Sequence, residues 1–155
     1  MKEIFYYKSK FFNLKIYLED GSIVLIERIY DENIETEITT KSKEVQKVEN
    51  EFNEYLGGKR KTFDIPINLV GTEFQKKVWN ELLNIPYGET RSYKDIAKAI
   101  GNEKASRAIG NANNKNPVMI IVPCHRVIGS NNKLVGYGGG LDMKEKLLEL
   151  ERNNK

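Results

Sequence analysis

The sequence predicts an α+β protein in two parts: a small antiparallel sheet with one packed helix over residues 1–66, and a mainly helical domain over residues 67–155. Three observations support this prediction. Apolar and polar residues alternate near the start, apolar residues recur at helical spacing after residue 72, and residues 57–71 between them are rich in glycine, proline and charge. A chain of 155 residues is long enough to bury two small cores.

The N-terminal part begins with a predicted β-hairpin. Asp20-Gly21 separates an alternating segment from a β-branched run over residues 23–26, which is a strong hairpin signal because Asp-Gly tolerates the backbone of a tight turn. Residues 3–8 are expected to add a third strand. The apolar positions of the alternating segment are Phe12, Leu14, Ile16 and Leu18.

One helix is expected to complete the N-terminal part. It follows a polar stretch over residues 31–41, and Gly57-Gly58 ends its apolar pattern. This half contains neither histidine nor cysteine, so we predict no chemistry in it. The apolar positions of the helix are Val45, Val48, Phe52, Tyr55 and Leu56.

Three short helices are predicted at the start of the C-terminal part. Thr72 with Gln75 caps the first, Ser92 with Asp95 caps the second, and Asn102 is expected to cap a third helix over residues 103–113. The second and third helices, joined by a turn that contains glycine, fit a helix-turn-helix. The expected apolar faces are Phe74, Val78, Trp79, Leu82 and Leu83 in the first helix, Ile96, Ala97 and Ile100 in the second, and Ala105, Ala108, Ile109 and Ala112 in the third.

The register of the third helix directs Arg107 outward, on the side where such motifs meet nucleic acid. Gly110 on the same side would let a partner approach closely. Residues 76–133 carry ten basic and four acidic side chains, whereas residues 1–66 carry 11 basic and 13 acidic ones. The basic half therefore suits an anionic partner, although a plain helical hairpin with a solvated, lysine-rich surface is the alternative.

The remainder of the chain holds the chemistry-bearing residues. A short buried strand is predicted over residues 118–122, directly before Pro123-Cys124-His125-Arg126. A polar turn over 129–133 and a glycine-rich loop over 136–140 follow. A final helix is predicted from about Asp142 to Glu151, and it is expected to bury Met143, Leu147 and Leu150.

Cys124 and His125 are the only cysteine and the only histidine in the chain, and they are neighbours. An internal disulfide and a Cys/His zinc cluster are therefore excluded. A nucleophilic thiol must ionise, so it needs a base such as His125, and a base needs an orienting carboxylate, for which Glu151 is one candidate. The alternative is that Cys124 is a buried small apolar residue and His125 a structural one.

The segment IVPCHRVIG over residues 121–129 resembles the active-site signature of the O6-alkylguanine-DNA alkyltransferases. Further motifs stand in family order: those over residues 74–97, ASRAIG over 105–110, Asn116-Pro117, Gly136-Tyr137 and LLELE over 147–151. The resemblance covers about residues 72–151. It implies a ribonuclease-H-like first domain and a winged helix-turn-helix-like second domain.

The resemblance also implies a reaction and its residues. The alkyl group of O6-alkylguanine in DNA would move irreversibly to Cys124, so that each molecule reacts once. His125 would deprotonate Cys124 through a water, Glu151 would orient the imidazole, and Tyr93 would donate a hydrogen bond or proton to the leaving guanine.

Two further sets of residues are implied by the resemblance. The DNA-contacting set is Ser92, Arg107, Gly110, Asn116 and Arg126; Arg107 would fill the gap in the base stack, and Asn116 would brace the turn before the cysteine. The set that lines the base pocket is Val127, Tyr137, Gly138, Gly139 and Lys144, with Lys144 at the pocket edge. Some family members have a hydroxyl residue where this chain has Gly138, so a side-chain contact is lost there.

The implied partner is double-stranded DNA that contains O6-alkylguanine. We expect a monomer that needs no cofactor or metal. We also expect it to be cytoplasmic and to have no membrane partner, since the sequence has neither a signal-peptide pattern nor an apolar run of about 20 residues. Two alternatives stay open: a winged-helix DNA-binding regulator with an incidental cysteine, and a cysteine hydrolase that turns over many times.

Overall fold

The computed structural model describes residues 2–30, 41–129 and 136–155. These residues form a mixed α+β protein with a three-stranded antiparallel sheet and five α-helices, which confirms the predicted class. They divide into two compact units, Met1–Asn68 and Leu69–Lys155. The predicted domains 1–66 and 67–155 stay a prediction. The polar stretch expected over 31–41 and the turn expected over 129–133 lie outside the described residues, apart from positions 41 and 129.

The N-terminal unit contains the sheet, with strands β1 (Lys2–Lys8), β2 (Asn13–Glu19) and β3 (Ser22–Ile29) in that order. Asp20 and Gly21 have φ of 50° and 84°, the conformation that the tight turn between β2 and β3 requires. The apolar positions of the alternating segment face the core as predicted, since Phe12, Leu14, Ile16 and Leu18 are all buried.

Helix α1 (Lys43–Leu56) packs in the same unit and begins at Ser42, whose hydroxyl accepts a hydrogen bond from the Val45 amide. Its predicted apolar positions are buried, except that Leu56 is half-buried. The pattern did not indicate that Glu51 is also buried. The Glu51 carboxylate accepts a hydrogen bond from the Asp64 amide at 2.8 Å and so fastens the segment after the helix.

The C-terminal unit contains α2 (Glu73–Leu82), α3 (Tyr93–Ala99), α4 (Ser106–Asn114) and α5 (Leu141–Asn153). Both predicted capping boxes, at Thr72 and Ser92, are present. Helix α4 begins three residues later than predicted, and Asn102 does not cap it; the cap is Ala105, which makes no side-chain hydrogen bond. Ala108 is exposed, contrary to the prediction, and Asn113 is buried instead. Leu83, at the end of α2, is also exposed.

The strand predicted over residues 118–122 is wrong: this buried segment is a turn, closed by a hydrogen bond from the Val122 amide to the Val118 carbonyl. The Asn116 side chain holds both ends of the turn, because Nδ2 donates to the Val122 carbonyl at 2.8 Å and Oδ1 accepts from the Val118 amide at 3.0 Å. Ile120 has φ of 75°, a region that β-branched residues avoid. Two-residue strands β4 (Arg91–Ser92) and β5 (Val127–Ile128) pair in parallel nearby.

Trp79 of α2 fixes the position of α4. Its buried indole Nε1 donates a hydrogen bond to the Ala112 carbonyl at 2.9 Å. The Lys115 amide also donates to that carbonyl, at 3.2 Å, so the last turn of α4 is tied both to α2 and to the residue that follows it.

We predict that Trp79→Phe lowers the free energy of unfolding by about 1–3 kcal/mol, because it removes one buried hydrogen bond and leaves space beside α4. Urea denaturation followed by circular dichroism measures the loss. Phe11→Leu is the control, because it also shortens an aromatic side chain but at a position that is half exposed, so it should change stability little. An unchanged denaturation midpoint for Trp79→Phe would contradict the assignment.

Candidate active site

Cys124 lies at the start of a short 3-10 turn, Cys124–Arg126, between the turn at 118–122 and strand β5. Pro123 has φ of −81° and ψ of 62°, an inverse γ-turn, and the Cys124 amide donates to the Val122 carbonyl at 2.8 Å. The Arg126 amide donates to the Pro123 carbonyl at 3.0 Å. Since the proline ring fixes φ, the backbone that carries the thiol is held from both sides.

A buried carboxylate organises the side chains around this turn. Glu151 of α5 accepts hydrogen bonds from His125 Nε2 at 2.6 Å, from Arg126 Nε at 2.8 Å and Nη2 at 3.0 Å, and from the Gly88 amide at 3.1 Å. The remaining guanidinium nitrogen, Arg126 Nη1, donates to the Ile85 carbonyl at 2.7 Å. Glu151 therefore joins α5 to the cysteine turn and to the loop after α2.

These contacts set the protonation states of Glu151 and His125. Burial alone would raise the pKa of Glu151, but the hydrogen bonds and charges of His125 and Arg126 hold it well below its usual range. Burial lowers the pKa of His125 in spite of the carboxylate beside it. The imidazole is thus neutral next to an anion, with its proton on Nε2. Its Nδ1 lone pair is buried, has no hydrogen-bond partner among the residues that the structure describes, and can accept a proton.

The thiol is protonated at rest. Burial raises the pKa of Cys124 to about 11, although the Asn116 side chain and the charge of Lys144 act in the opposite direction. A neutral imidazole that follows a protonated thiol in the chain is chemically able to accept a proton. The structure brings the predicted residues His125 and Glu151 into contact, and Cys124 precedes His125 in the same 3-10 turn.

Lys144 of α5 is fully buried, whereas the prediction put it at a pocket edge. Its Nζ donates to the Val127 carbonyl at 2.6 Å and to the Gly136 carbonyl at 3.4 Å. Burial lowers the pKa of Lys144 to about 8. Because Val127 is in β5 and Gly136 begins the glycine-rich loop, Lys144 ties that loop to the segment after the cysteine.

The glycine-rich loop is closely packed on one side and open on the other. Tyr137 and Gly139 are buried, and a Cβ on Gly139 would lie only 2.8 Å from Met143 Sδ and from the Tyr137 ring. Gly138 is exposed, and a Cβ there would lie 3.2 Å from the Asn114 carbonyl at the end of α4. Side chains at these two positions would push the loop outward.

Tyr93 stands near the thiol. Its side chain is half-buried, and burial together with Cys124 raises the pKa of its hydroxyl, so Tyr93 is a proton donor and not an anion at neutral pH. Gly110 of α4 faces this ring, with 3.6 Å between a Cβ built on it and Tyr93 Cε1. Ser92 is the N-cap of α3 and accepts from the Asp95 amide, and Arg107 is exposed as predicted.

The expectation that Arg126 contacts DNA needs correction. Its side chain is only 10% exposed, and its guanidinium is bonded to Glu151 and to the Ile85 carbonyl. The positive charge of Arg126 acts inside the protein, where it keeps Glu151 ionised. Asn116 is likewise buried, and its side chain hydrogen-bonds to both ends of the turn at 118–122.

Sequence reasoning missed two contributors. Asn113 is buried at the end of α4, with Nδ2 3.4 Å from the Cys124 carbonyl, and the Gly88 amide binds Glu151. Placing Asn113 with Ala112 on the buried face of the helix would have indicated its role, whereas nothing in the sequence indicates the contact of the Gly88 amide.

Within the described ranges, no group of three or more His, Cys, Asp or Glu side chains could hold a metal ion, and no helix is long and apolar enough to cross a membrane.

Comparisons with known proteins bear on this arrangement. The family described as "6-O-methylguanine DNA methyltransferase, DNA binding domain" matches residues 73–153. A methylated-DNA–protein-cysteine methyltransferase of Methanosarcina mazei is 61% identical over 109 residues, which cover 70% of this chain and 69% of that protein. The matched stretches span from 62% to 69% of the first three curated relatives.

Solved structures are similar over nearly the whole chain. The crystal structure of Mycobacterium tuberculosis O6-methylguanine methyltransferase has a TM-score of 0.87 and 41% identity, covering 100% of this chain and 95% of that one. That of M. tuberculosis OGT in complex with DNA has a TM-score of 0.85 and 42% identity, covering 96% and 92%.

We predict that Glu151→Gln lowers the free energy of unfolding at pH 7 by about 3–5 kcal/mol, because it leaves the Arg126 charge buried without its partner. The Glu151 pKa is lower in the folded chain than in the unfolded one. Its stabilisation is therefore complete above the ordinary pKa of 4.5 and is lost as the pH falls below it.

Urea denaturation at pH 7, 5, 4 and 3 tests this prediction. The difference between the wild type and Glu151→Gln should shrink below pH 5. Glu149→Gln, an exposed position on the same helix, is the matched control and should change little. A difference that stays constant down to pH 3 would show that Glu151 is not the ionised centre of the cluster.

Proposed function

The chain belongs to the family of methylated-DNA–protein-cysteine methyltransferases, and from that premise we propose that it repairs O6-alkylguanine in DNA by transferring the alkyl group to its own Cys124. The observation that carries the proposal is the buried series of Cys124, His125 and Glu151 inside the segment that the family matches. A neutral imidazole held by an ionised carboxylate, beside a protonated thiol, supports an attack that begins with proton removal.

The proposed reaction balances without a cofactor. The Cys124 proton passes through a water to His125 Nδ1, which leaves a thiolate and an imidazolium that Glu151 stabilises. The thiolate attacks the alkyl carbon in line, an S–C bond forms, the C–O6 bond breaks, and its electron pair stays on the guanine. Tyr93, whose hydroxyl is protonated at neutral pH, donates a hydrogen bond or a proton to the leaving guanine. The thioether is stable, so each molecule reacts once.

DNA binding is proposed for the exposed side of α4 and the N-terminus of α3. A base inside a duplex is out of reach of a buried thiol, so the nucleotide must swing out of the stack. Arg107 is exposed on α4 and is proposed to fill the gap that the base leaves. Ser92 and Gly110 lie toward the same surface in this proposal, and Asn116 acts from inside by holding the turn before Cys124.

The base pocket is proposed to lie between β5 and the glycine-rich loop, lined by Val127, Tyr137, Gly138 and Gly139. Lys144 connects the two sides of this proposed pocket, because its Nζ donates hydrogen bonds to the Val127 carbonyl of β5 and to the Gly136 carbonyl of the loop. With no side chain at Gly138, its backbone N–H is the group left to bind O6 of guanine there.

The finer architecture belongs to the same proposal. We infer a ribonuclease-H-like N-terminal domain over residues 1–66 and a winged helix-turn-helix-like domain over residues 67–155. We also infer that the protein acts as a monomer in the cytoplasm, where a reducing environment preserves the free thiol that the reaction needs.

Incubation with double-stranded DNA that contains O6-methylguanine should add about 14 Da, one methylene, to Cys124, as transfer to a nucleophilic cysteine requires. Intact-protein and peptide mass spectrometry measure the gain, which should reach one methyl group per molecule and stop. Cys124→Ser should abolish the transfer and leave DNA binding largely intact. Binding without any mass gain would favour a DNA-binding regulator, and repeated turnover of an ester or amide would favour a hydrolase.

Arg107→Ala should slow repair of duplex DNA by about tenfold or more. Extrusion of a base costs a few kcal/mol, and the variant lacks the side chain that offsets part of this cost by replacing the base in the stack. Transfer from the free base O6-methylguanine should be nearly unchanged. Single-turnover rates on the two substrates provide the comparison, with Lys104→Ala, an exposed neighbour outside the helix, as the control. Equal losses on both substrates would contradict the role of Arg107.

A further inference from the structure

We propose that the side-chain oxygen of Asn113 is the second anchor of the water through which Cys124 passes its proton to His125. This inference rests on the proposed function, because it concerns how the proposed reaction begins. It makes Asn113 a positioning residue: it orients the proton path and touches neither the substrate nor the alkyl group.

The first observation is the orientation of the Asn113 side chain. Asn113 lies in the last turn of α4 and is 1% exposed, and its Nδ2 donates to the Cys124 carbonyl at 3.4 Å. The opposite amide orientation would bring two oxygens together, so this contact determines which atom is the oxygen. Oδ1 is consequently a buried acceptor, and no donor in the described part of the chain reaches it.

The second observation is another buried acceptor, on the residue that follows the cysteine. His125 Nδ1 is also buried without a partner among the described residues, and its lone pair is available because the ring proton is on Nε2, toward Glu151. One acceptor thus belongs to a side chain bonded to the Cys124 backbone, and the other to the residue that follows Cys124. Buried acceptors in native proteins are normally hydrogen-bonded, and one water close to Cys124 can supply a donor to each of these two.

A water molecule has the number of hydrogens that this arrangement requires. One O–H can donate to His125 Nδ1 and the other to Asn113 Oδ1, which leaves the oxygen lone pairs to accept the thiol proton. When Cys124 gives up its proton to the water, the water gives one to His125 Nδ1. Asn113 keeps the second hydrogen in place, so the hydrogen that the water gives up is the one that points at His125 Nδ1.

Alkylation of the thiol by iodoacetamide tests this inference without DNA, and Cys124 is the only cysteine that can react. Asn113→Leu has a similar shape but no acceptor. At pH 7.5 its alkylation should be about tenfold slower than that of the wild type, the effect of one lost hydrogen bond. The defect should shrink toward pH 10, because the thiol then approaches its pKa of about 11 and ionises without the relay.

The second readout is the alkylation rate of a double variant, which shows whether Asn113 acts through His125. The double variant His125→Gln, Asn113→Leu should react no more slowly than His125→Gln alone, because Asn113 acts only through His125. Asn111→Leu, exposed on the same helix, is the matched control and should react at the wild-type rate. Asn113→Ser, which is smaller and keeps an oxygen acceptor, should retain more reactivity than Asn113→Leu and replaces it if the leucine variant does not fold.

A loss of the same size at every pH, losses that add in the double variant, or a wild-type rate for Asn113→Leu would each overturn the inference. The result is independent of the proposed function, since iodoacetamide alkylates the thiol whether or not the protein repairs DNA. Failure of the wild type to accept a methyl group from DNA would overturn the proposed function instead.

Discussion

The C-terminal unit depends on one buried carboxylate. Glu151 accepts hydrogen bonds from two side chains and one backbone amide, which come from the cysteine turn and from the loop after α2. Burying a carboxylate and a guanidinium is costly unless each is fully bonded, and here Arg126 is bonded to Glu151 and to the Ile85 carbonyl. The same set of bonds determines the tautomer of His125. The hydrogen bonds of Glu151 therefore stabilise the C-terminal unit and at the same time leave His125 Nδ1 able to accept a proton.

The second constraint is that the thiol and its base are both uncharged at rest. Burial raises the pKa of Cys124 and lowers that of His125, so a stable thiolate–imidazolium pair is not favoured. A protonated, buried thiol reacts slowly with oxidants and with alkylating agents. In the proposed reaction, the thiol becomes nucleophilic when its proton leaves through His125, and a substrate in the pocket places the alkyl carbon in line with it.

Local rules predicted much of the fold. Alternation and Asp20-Gly21 indicated the sheet, and the capping boxes at Thr72 and Ser92 indicated two helix starts, because these signals depend on near neighbours. The segment 118–122 was misread because apolar β-branched residues signal burial, and here contacts with the Asn116 side chain decide its shape. Arg126 was misread for a related reason: its partner Glu151 lies 25 residues away, and the sequence does not show that they meet.

Helix α4 links the two tasks in the proposal. Arg107, Gly110 and Asn113 are spaced three residues apart, so they form a slowly turning row that runs from the exposed surface to the interior. Arg107 is exposed, Gly110 faces the Tyr93 ring, and Asn113 reaches the Cys124 carbonyl. Trp79 holds the end of this row through the Ala112 carbonyl. The helix that would enter DNA in the proposal thus also contacts the Tyr93 ring and the backbone of the cysteine turn, so a shift of α4 on DNA would be felt directly at Cys124.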